Sequence, residues 1–413
     1  MDEPLVVLIA ARDEEERIGK TVEALRRDFP SAEIVVADDG SRDSTPAAAR
    51  RAGARVVRLP RLGKGQALTL GEREAPPGAL LLCDADLEGD LAPLFEDGAD
   101  LVIAAFAERQ GGGFGIAKRT ARALVRTLSG FEAREPLSGQ RTLSPAAREA
   151  CFPLAPGFGC EVRMTIDAVR AGLRVEEREL PLRHRATGRD PGGFAHRGRQ
   201  LLDAVLACGP TAVNHRGLRL PLVGALVALG GGKAPARMRV GVAAVALLGL
   251  ADDLWSGPER GFRAHLAKGS TTGVAKAVGI PLVALATTRS LRKAAIVALA
   301  ANVINQLDTR PGRALKAFAA GAVIVRGPAK SYLPIAVLLA PYDLREMTML
   351  GDAGANALGA VLGYGSVGKL TARGQFFAIA ALAGLTAAGE ARSLGSLIER
   401  TPVLSRLDRL GRP

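Results

Sequence analysis

Aromatic residues are scarce in this chain: they make up 4% of it, with one Trp and three Tyr. That leaves few of the stacking platforms on which proteins hold single-stranded nucleic acid. The formal net charge of +13 is therefore not read as a nucleic-acid footprint, and the basic residues are spread along the chain. Anionic lipid headgroups and phosphorylated substrates suit such charge better. Cysteine is also sparse. Cys83, Cys151, Cys160 and Cys208 have no metal-ligand spacing and form no dense framework, so they read as reduced thiols of a cytosolic domain. A signal peptide is not expected, because the apolar run from Leu5 follows Asp2 and Glu3 and leads straight into charged residues from Arg12 to Arg17. No internal repeat is evident. No uninterrupted apolar run reaches the roughly 20 residues of a full bilayer span.

What is present divides in two, as a length of 413 residues suggests. Up to about residue 205, apolar strand-like runs alternate with charged helices; from about 218 onward Ala, Gly, Leu and Val dominate. In the first part, the run beginning at Leu5 is short and β-branched, the pattern of a buried parallel strand, and the runs beginning at Glu33, Ala54 and Ala79 read as three further strands. Between the first two, Ile18, Val22 and Leu25 share one helical face. Strand and helix in alternation predict a mainly parallel sheet with ligands at the strand C-terminal ends. Acidic residues stand at those ends: Asp38 and Asp39 after the second strand, Asp84 and Asp86 after the fourth. Carboxylates at i and i+2 make a hard-oxygen pair for Mg²⁺ or Mn²⁺ carried with substrate phosphates. Helix capping after a strand accounts for such acids equally well. Gly63-Lys64-Gly65 alone is a turn, and its place between the acidic strand ends gives it weight. Glu161 opens a helix, as a general base or as a partner of the helix dipole. Arg183, Arg185 and Arg189 gather beside His184, either as a clamp for the charge of a leaving diphosphate or as a solvated face.

In the second part, Phe194 to Leu206 reads as an interfacial amphipathic helix. About eight apolar segments follow, near 218–231, 238–251, 273–288, 293–306, 314–326, 331–343, 352–367 and 374–389. Each is shorter than the roughly 20 residues of a span. A helical domain in water is the competing reading, disfavoured because so few polar faces remain. Asp252 and Asp253 end the second segment, Asn302, Asn305 and Asp308 end the fourth, and Asp352 begins the seventh. If each segment crosses, all three clusters fall on one face of the bilayer, and with a cytosolic N-terminal domain that face is the cytosolic one. Carboxylates and amides gathered on one side of a membrane domain are a functional-site hypothesis. The distribution of Lys and Arg gives this orientation little support.

The order of motifs carries a resemblance. Ala10 to Ile18, Asp38-Asp-Gly-Ser-Arg-Asp43, Gly63-Lys-Gly65 and Asp84-Ala-Asp-Leu-Glu88 follow one another as in family-two glycosyltransferases of the GT-A fold, and are most similar to those that serve polyprenyl phosphates. The resemblance implies that Ala11, Arg12, Glu14, Asp38 and Asp39 hold the nucleotide and that Lys64 meets its phosphate end. It implies that Asp84, Asp86 and Glu88 hold the metal (Glu88 where the family often has Gln), with Asp86 and Glu161 in the catalytic set. Ser138, Gly139 and Arg141 resemble an acceptor-side loop, with Arg183, Arg185 and Arg189 on acceptor or phosphate. The second part resembles the polyprenyl-phosphate N-acetylhexosamine-1-phosphate transferases at Gly249 to Asp253, Asn302 to Asp308 and Met349 to Asn356. By that resemblance Asp352 holds the metal, Asp252, Asp253 and Asp308 act at the reaction centre, and Asn302 and Asn305 serve the nucleotide. The family's first helix and a late His-rich loop are missing.

The expected architecture is thus a GT-A (Rossmann-like) α/β domain at 1–193, an interfacial linker helix at 194–213, an all-α polytopic membrane domain of about eight helices at 214–390, and a basic cytosolic tail at 391–413. The expected function is transfer from a UDP- or GDP-sugar to a polyprenyl (undecaprenyl) phosphate-linked acceptor, with Mg²⁺ or Mn²⁺. A second activity, sugar-1-phosphate transfer to polyprenyl phosphate, is expected with it, at the cytoplasmic membrane in cell-envelope glycan synthesis. Two rivals remain: a membrane half that only anchors the lipid acceptor, and a non-catalytic nucleotide-sugar scaffold or transporter. Homo-oligomerisation stays open.

Overall fold

A computed structural model describes residues 5–86, 89–95, 98–106, 115–182, 191–255 and 271–412. The chain forms two compact units, Met1–Pro221 and Leu222–Pro413.

In the first unit the apolar runs are strands: β1 (Val6–Ala11), β2 (Glu33–Asp39), β3 (Arg55–Leu59), β4 (Leu80–Asp84), β5 (Leu101–Phe106), β6 (Arg141–Leu143) and β7 (Val175–Leu180). They form one sheet in the order β3-β2-β1-β4-β6-β5-β7. All neighbours are parallel except β6, which runs antiparallel to β4 and β5. The mainly parallel α/β sheet agrees with the sequence reading; β6 lies in a stretch that reading took for a loop. Alternate strand residues point to opposite faces, so Val7, Ile9 and Val36 enter one core and Val6, Leu8 and Val35 the other. Burying each such side chain stabilises the unit by roughly 1.5–3 kcal/mol. The register sets Ala11 opposite Asp38 and Ala10 opposite Asp84, which brings the acidic strand ends to one edge.

The helices of this unit are α1 (Ile18–Asp28), α2 (Thr45–Arg51), α3 (Lys64–Arg73), α4 (Ile116–Ser129), α5 (Pro145–Cys151), α6 (Cys160–Arg170) and α7 (Pro191–Cys208). The last corrects an expectation. The stretch expected to be an interfacial linker at 194–213 packs into the first unit, with Asp203, Ala204 and Ala207 buried. A Cβ on Gly159 would strike Ala207 and the Asp203 backbone, so the approach there is close. A hairpin of β8 (Thr211–Val213) and β9 (Arg219–Pro221) ends the unit. The four cysteines are free thiols.

The second unit is helical: α8 (Ala236–Trp255), α9 (Thr271–Thr288), α10 (Leu291–Leu307), α11 (Arg313–Val325), α12 (Leu333–Asp343), α13 (Gly351–Val367), α14 (Ala372–Arg392), α15 (Leu394–Arg400) and α16 (Pro402–Arg409). Helix α13 is the core element, with Ala353, Ala357, Leu358 and Val361 fully buried. Glycines let it touch its neighbours: a Cβ on Gly249 of α8 would strike Ala353, and one on Gly359 would strike the Ala300 carbonyl of α10. The structure bears on three expectations here. The first apolar segment is a six-residue 3-10 turn, Gly224–Leu229, and not a crossing helix. The tail at 391–413 is folded into α15 and α16. Among the described residues, no helix is long and apolar enough to cross a membrane.

Candidate functional site

In the first unit the site grows from the strand ends. After β1 the chain turns through Asp13, a non-glycine residue with φ of 56°. The amides of this turn donate to the loop after β2: Asp13 N to Ser41 Oγ (3.0 Å), Glu14 N to Thr45 Oγ1 (2.7 Å) and Glu15 N to Asp43 Oδ2 (3.1 Å). Two expected nucleotide contacts thus belong to interlocked loops, and the Glu14 carboxylate itself accepts from Arg17 (2.8 Å). Ala11 is buried and Arg12 is exposed on this turn. Asp38 accepts from Ser41 N. Asp39 accepts from Leu62 N at 2.6 Å and from Gly63 N at 2.9 Å. Burial raises its pKa, against the pull of those two amides. The Asp39 carboxylate therefore fixes the turn that presents Lys64.

Lys64 opens α3 and is the hub of the site. Its Nζ lies 2.7 Å from Asp84 Oδ1 and 2.8 Å from Glu161 Oε1. Burial alone would lower the lysine, but the two carboxylates outweigh it and hold it well above its usual range. Gln140 Nε2 donates to the other Asp84 oxygen at 2.9 Å. Gly139 has no room for a Cβ, which would strike both Asp84 oxygens and Lys64 Nζ. Glu161 accepts a bond from the Cys160 thiol at 3.1 Å. Expected as a catalytic base, it is engaged in holding Lys64. Asp86 stands two residues beyond Asp84, half-buried.

The divalent cation is tested against these donors. Among the described residues no three His, Cys, Asp or Glu side chains are grouped so that they alone could hold a metal ion. Asp84 and Asp86 still fit an ion that takes one or two carboxylates and completes its shell with substrate phosphates and water. Glu88, Arg183, Arg185 and Arg189 lie outside the described residues.

Arg141, expected to face an acceptor phosphate, is fully buried. Its guanidinium donates to Ser138 O (2.8 Å), Thr165 Oγ1 (2.9 Å) and Pro136 O (3.0 Å). It ties the loop to α6. Ser138 is buried too, its hydroxyl beside Gln140 Oε1. Two residues went unread in the sequence. Gln140 sat inside a quoted motif. Asp203 of α7 accepts from Phe158 N (3.1 Å), bracing the turn before Glu161, and an acid inside an amphipathic helix gives no such signal.

The second unit holds a separate cluster. Lys276 of α9 lies 2.5 Å from Asp252 and also pairs with Asp352. Asp252 Oδ1 is buried with no hydrogen-bond partner among the described residues. Asp253 accepts from Asp352 N (2.9 Å) and Ala353 N (3.0 Å), capping α13. Asp308 is close enough to Asp343, Asp352 and Asp253 to feel their charges. The three acidic stretches therefore meet. Asn302 does not join them: its amide donates to Thr386 of α14. The Asn305 carbonyl accepts from Asp308 N, one turn closer to the cluster. Lys276 and Asp343 were missed. Asp343, at the end of α12, accepts from Gly312 N (2.6 Å) and from Leu350 N, joining the loops that carry Asp308 and Asp352. The orphaned Asp252 oxygen beside Asp352 fits a hard cation.

Residues 6–146 match the model of glycosyl transferase family 2. Over that stretch the first unit therefore matches a family 2 glycosyltransferase domain, in keeping with its mainly parallel α/β sheet. The chain is similar to glucosyl-3-phosphoglycerate synthases of Mycolicibacterium paratuberculosis (30% identity over 202 residues, 40% of this chain and 60% of that protein) and Mycolicibacterium smegmatis (30% over 199 residues, 40% and 65%). It thus spans less than two thirds of the length of these curated relatives. A solved glucosyl-3-phosphoglycerate synthase of Mycobacterium tuberculosis in complex with phosphoglyceric acid aligns with 26% identity and a TM-score of 0.42, over 51% of this chain and 84% of that one. The same enzyme with Mn²⁺, UDP and phosphoglyceric acid aligns with 26% identity and a TM-score of 0.42, over 51% and 81%.

Proposed function

We propose that the first unit transfers a sugar from a nucleotide-sugar donor to a phosphorylated acceptor. The observation that carries this reading is the node of Lys64, Asp84, Gln140 and Glu161 at the strand edge of a family 2 domain, with Asp86 next to it. Asp84 and Asp86 would hold a divalent cation, which when bound neutralises charge on the donor diphosphate. Lys64 fixes Asp84 and Glu161, Asp39 fixes the turn that presents Lys64, and Gly139 keeps the acceptor-side backbone against Asp84. An acceptor oxygen then forms a bond to the anomeric carbon as the bond to the diphosphate breaks. A phosphate acceptor is already ionised and needs no base, in keeping with Glu161 being engaged by Lys64. The relatives are named for joining a glucosyl group to a phosphorylated acid, so UDP-glucose is the first donor to try. The test is nucleoside diphosphate release by the full chain from a panel of UDP- and GDP-sugars, with Asp86→Ala as the variant expected to lose it. Full metal-dependent turnover in that variant overturns the reading.

For the second unit we propose a lipid setting and a second activity. Its exposed apolar side chains, among them Ile324 at 80%, Phe377 at 70% and Val337 at 67%, favour contact with acyl chains at the cytoplasmic membrane. Its cluster of Asp252, Asp253, Lys276, Asp308 and Asp352 suits sugar-1-phosphate transfer to a polyprenyl phosphate. There a lipid phosphate oxygen bonds the β-phosphorus of the donor, and the nucleoside monophosphate leaves. Release of that monophosphate, lost in Asp352→Asn, tests it; its absence with every donor leaves the unit an anchor.

A further inference from the structure

The second unit ends in two short helices, and in the second, α16, the polarity is arranged the wrong way round for a surface helix in water. In α16, the one acid, Asp408, is turned inward. Its carboxylate accepts from both Nε (2.9 Å) and Nη2 (2.8 Å) of Arg313, which is itself buried, and from Arg412 (2.8 Å). Arg313 opens α11 and reaches Glu399 and Thr309 as well. This network sets the rotation of α16 about its axis. With Asp408 inward, Val403 and Leu407 point out, 67% and 53% exposed, with Leu410 at 62% just past the helix end. These positions, spaced i, i+4 and i+7, form one stripe. Leu404 borders it, and Leu397 of α15 is exposed too. The exposed charges beside the stripe on α16 and at the end of α15 are Arg400, Arg406 and Arg409; Glu399 of α15 is exposed as well, but its carboxylate is taken up by Arg310 and Arg313.

We infer that α15 and α16 form a docking face for an anionic lipid surface. Exposed apolar residues flanked by arginine match the headgroup and acyl boundary of such a surface, where the stripe leaves water and the guanidiniums meet phosphate. A second copy of this face would bring arginine against arginine, and a polynucleotide has no use for the apolar stripe. The same network ties the face to the loop after α10 that carries Asp308, because Arg313 bonds both Thr309 and Asp408. The face therefore sits at the end of the bundle where the carboxylates gather. It goes beyond the proposed activities and does not require that any helix cross the bilayer.

The test uses the full chain in a Cys208→Ser background, the other three thiols being buried. Val403→Cys is labelled with an environment-sensitive fluorophore. Phe377→Cys, on α14, is labelled in a second sample. Each is reconstituted with vesicles of phosphatidylcholine alone and of equal parts phosphatidylcholine and phosphatidylglycerol. The expected result is a blue shift and quenching by spin-labelled lipid at position 403, stronger with phosphatidylglycerol. Adding Arg406→Glu and Arg409→Glu should weaken that protection on the order of tenfold, from two lost charge contacts with the anionic surface. A position 403 quenched by aqueous iodide in both vesicles overturns the inference, even if position 377 is in lipid and the lipid setting of the unit stands. Protection at 403 with 377 in water supports docking without embedding. Protection at 403 that rises with protein concentration in the absence of lipid also overturns it, in favour of a second copy.

Discussion

The two units place acidic residues at the ends of regular elements in different ways. In the first, a parallel sheet lines up Asp38, Asp39 and Asp84 because β1, β2 and β4 end together in register. Position follows from topology, and any sheet of this order offers the same edge. In the second, Asp252, Asp308 and Asp352 come from helix ends far apart in sequence, and nothing local aligns them. They meet because α13 sits between α8 and α10, with glycines at the crossings. Each cluster has a lysine at its centre, Lys64 in one and Lys276 in the other. A sheet-built site should therefore tolerate distant packing changes, whereas a site built on helix contacts should not.

The largest expected effect is at Asp86. Asp86→Ala should lower sugar transfer by roughly 10²–10³-fold, the scale of losing one preorganised electrostatic group, and leave the urea midpoint unchanged. Steady-state rates with and without the cation check it, and chelation should mimic the variant in the wild type.

Next is Lys64→Met, which leaves Asp84 and Glu161 facing each other. Removing one partner of a largely buried ion pair costs about 3 kcal/mol, read as a lower urea midpoint. Adding Glu161→Gln should recover part of that loss. No recovery would mean that Glu161 is not held by Lys64.

Gly359→Val tests the contrast itself. A branched side chain against the Ala300 carbonyl should separate α13 from α10, with an overpacking cost of about 1–3 kcal/mol. Monophosphate release should fall with it while diphosphate release stays. A matching fall in both would remove the distinction between the sites.

Much of the first unit was legible. Short apolar runs marked four strands, and the acids after the second and fourth marked the site edge. Strand β6 was not, since three residues headed by an arginine carry no periodicity, and Arg141 read as a surface charge although it is fully buried. Its hydrogen bonds run to the Ser138 and Pro136 carbonyls of the irregular loop just before it and to Thr165 of α6, pairings that no spacing rule reports. In the second unit the acidic stretches were read from spacing and do meet. Segment 218–231 misled, because its apolar content belongs to a 3-10 turn packed under α13, where Gly224 touches Leu350 and Gly354. With that turn in place of a crossing helix, the step that put the N-terminal domain on the same side as the carboxylates is gone. The shared side of the clusters survives, since α8 and α10 are two helices apart.

The smallest effect is a pH dependence at Asp203. Burial raises its pKa above 3.8, so the folded unit binds that proton more tightly than the unfolded chain. Its contribution to stability is greatest when both states are protonated, and it falls as pH rises through the window just above 3.8. Asp203→Asn should flatten that part of the stability curve, measured by urea titration at several acidic pH values. An unchanged slope would place the carboxylate in water.

The central claim is that one chain carries two separate transfer sites, and nucleotide product analysis tests it most directly. Purified full-length protein is given a panel of nucleotide sugars, polyprenyl phosphate and Mg²⁺ or Mn²⁺, and the released nucleotides are resolved. The account predicts both nucleoside diphosphate and monophosphate from the wild type, loss of the diphosphate alone in Asp86→Ala, and loss of the monophosphate alone in Asp352→Asn. If diphosphate is the sole product under every donor, or if either variant abolishes both products, the two-site account is contradicted.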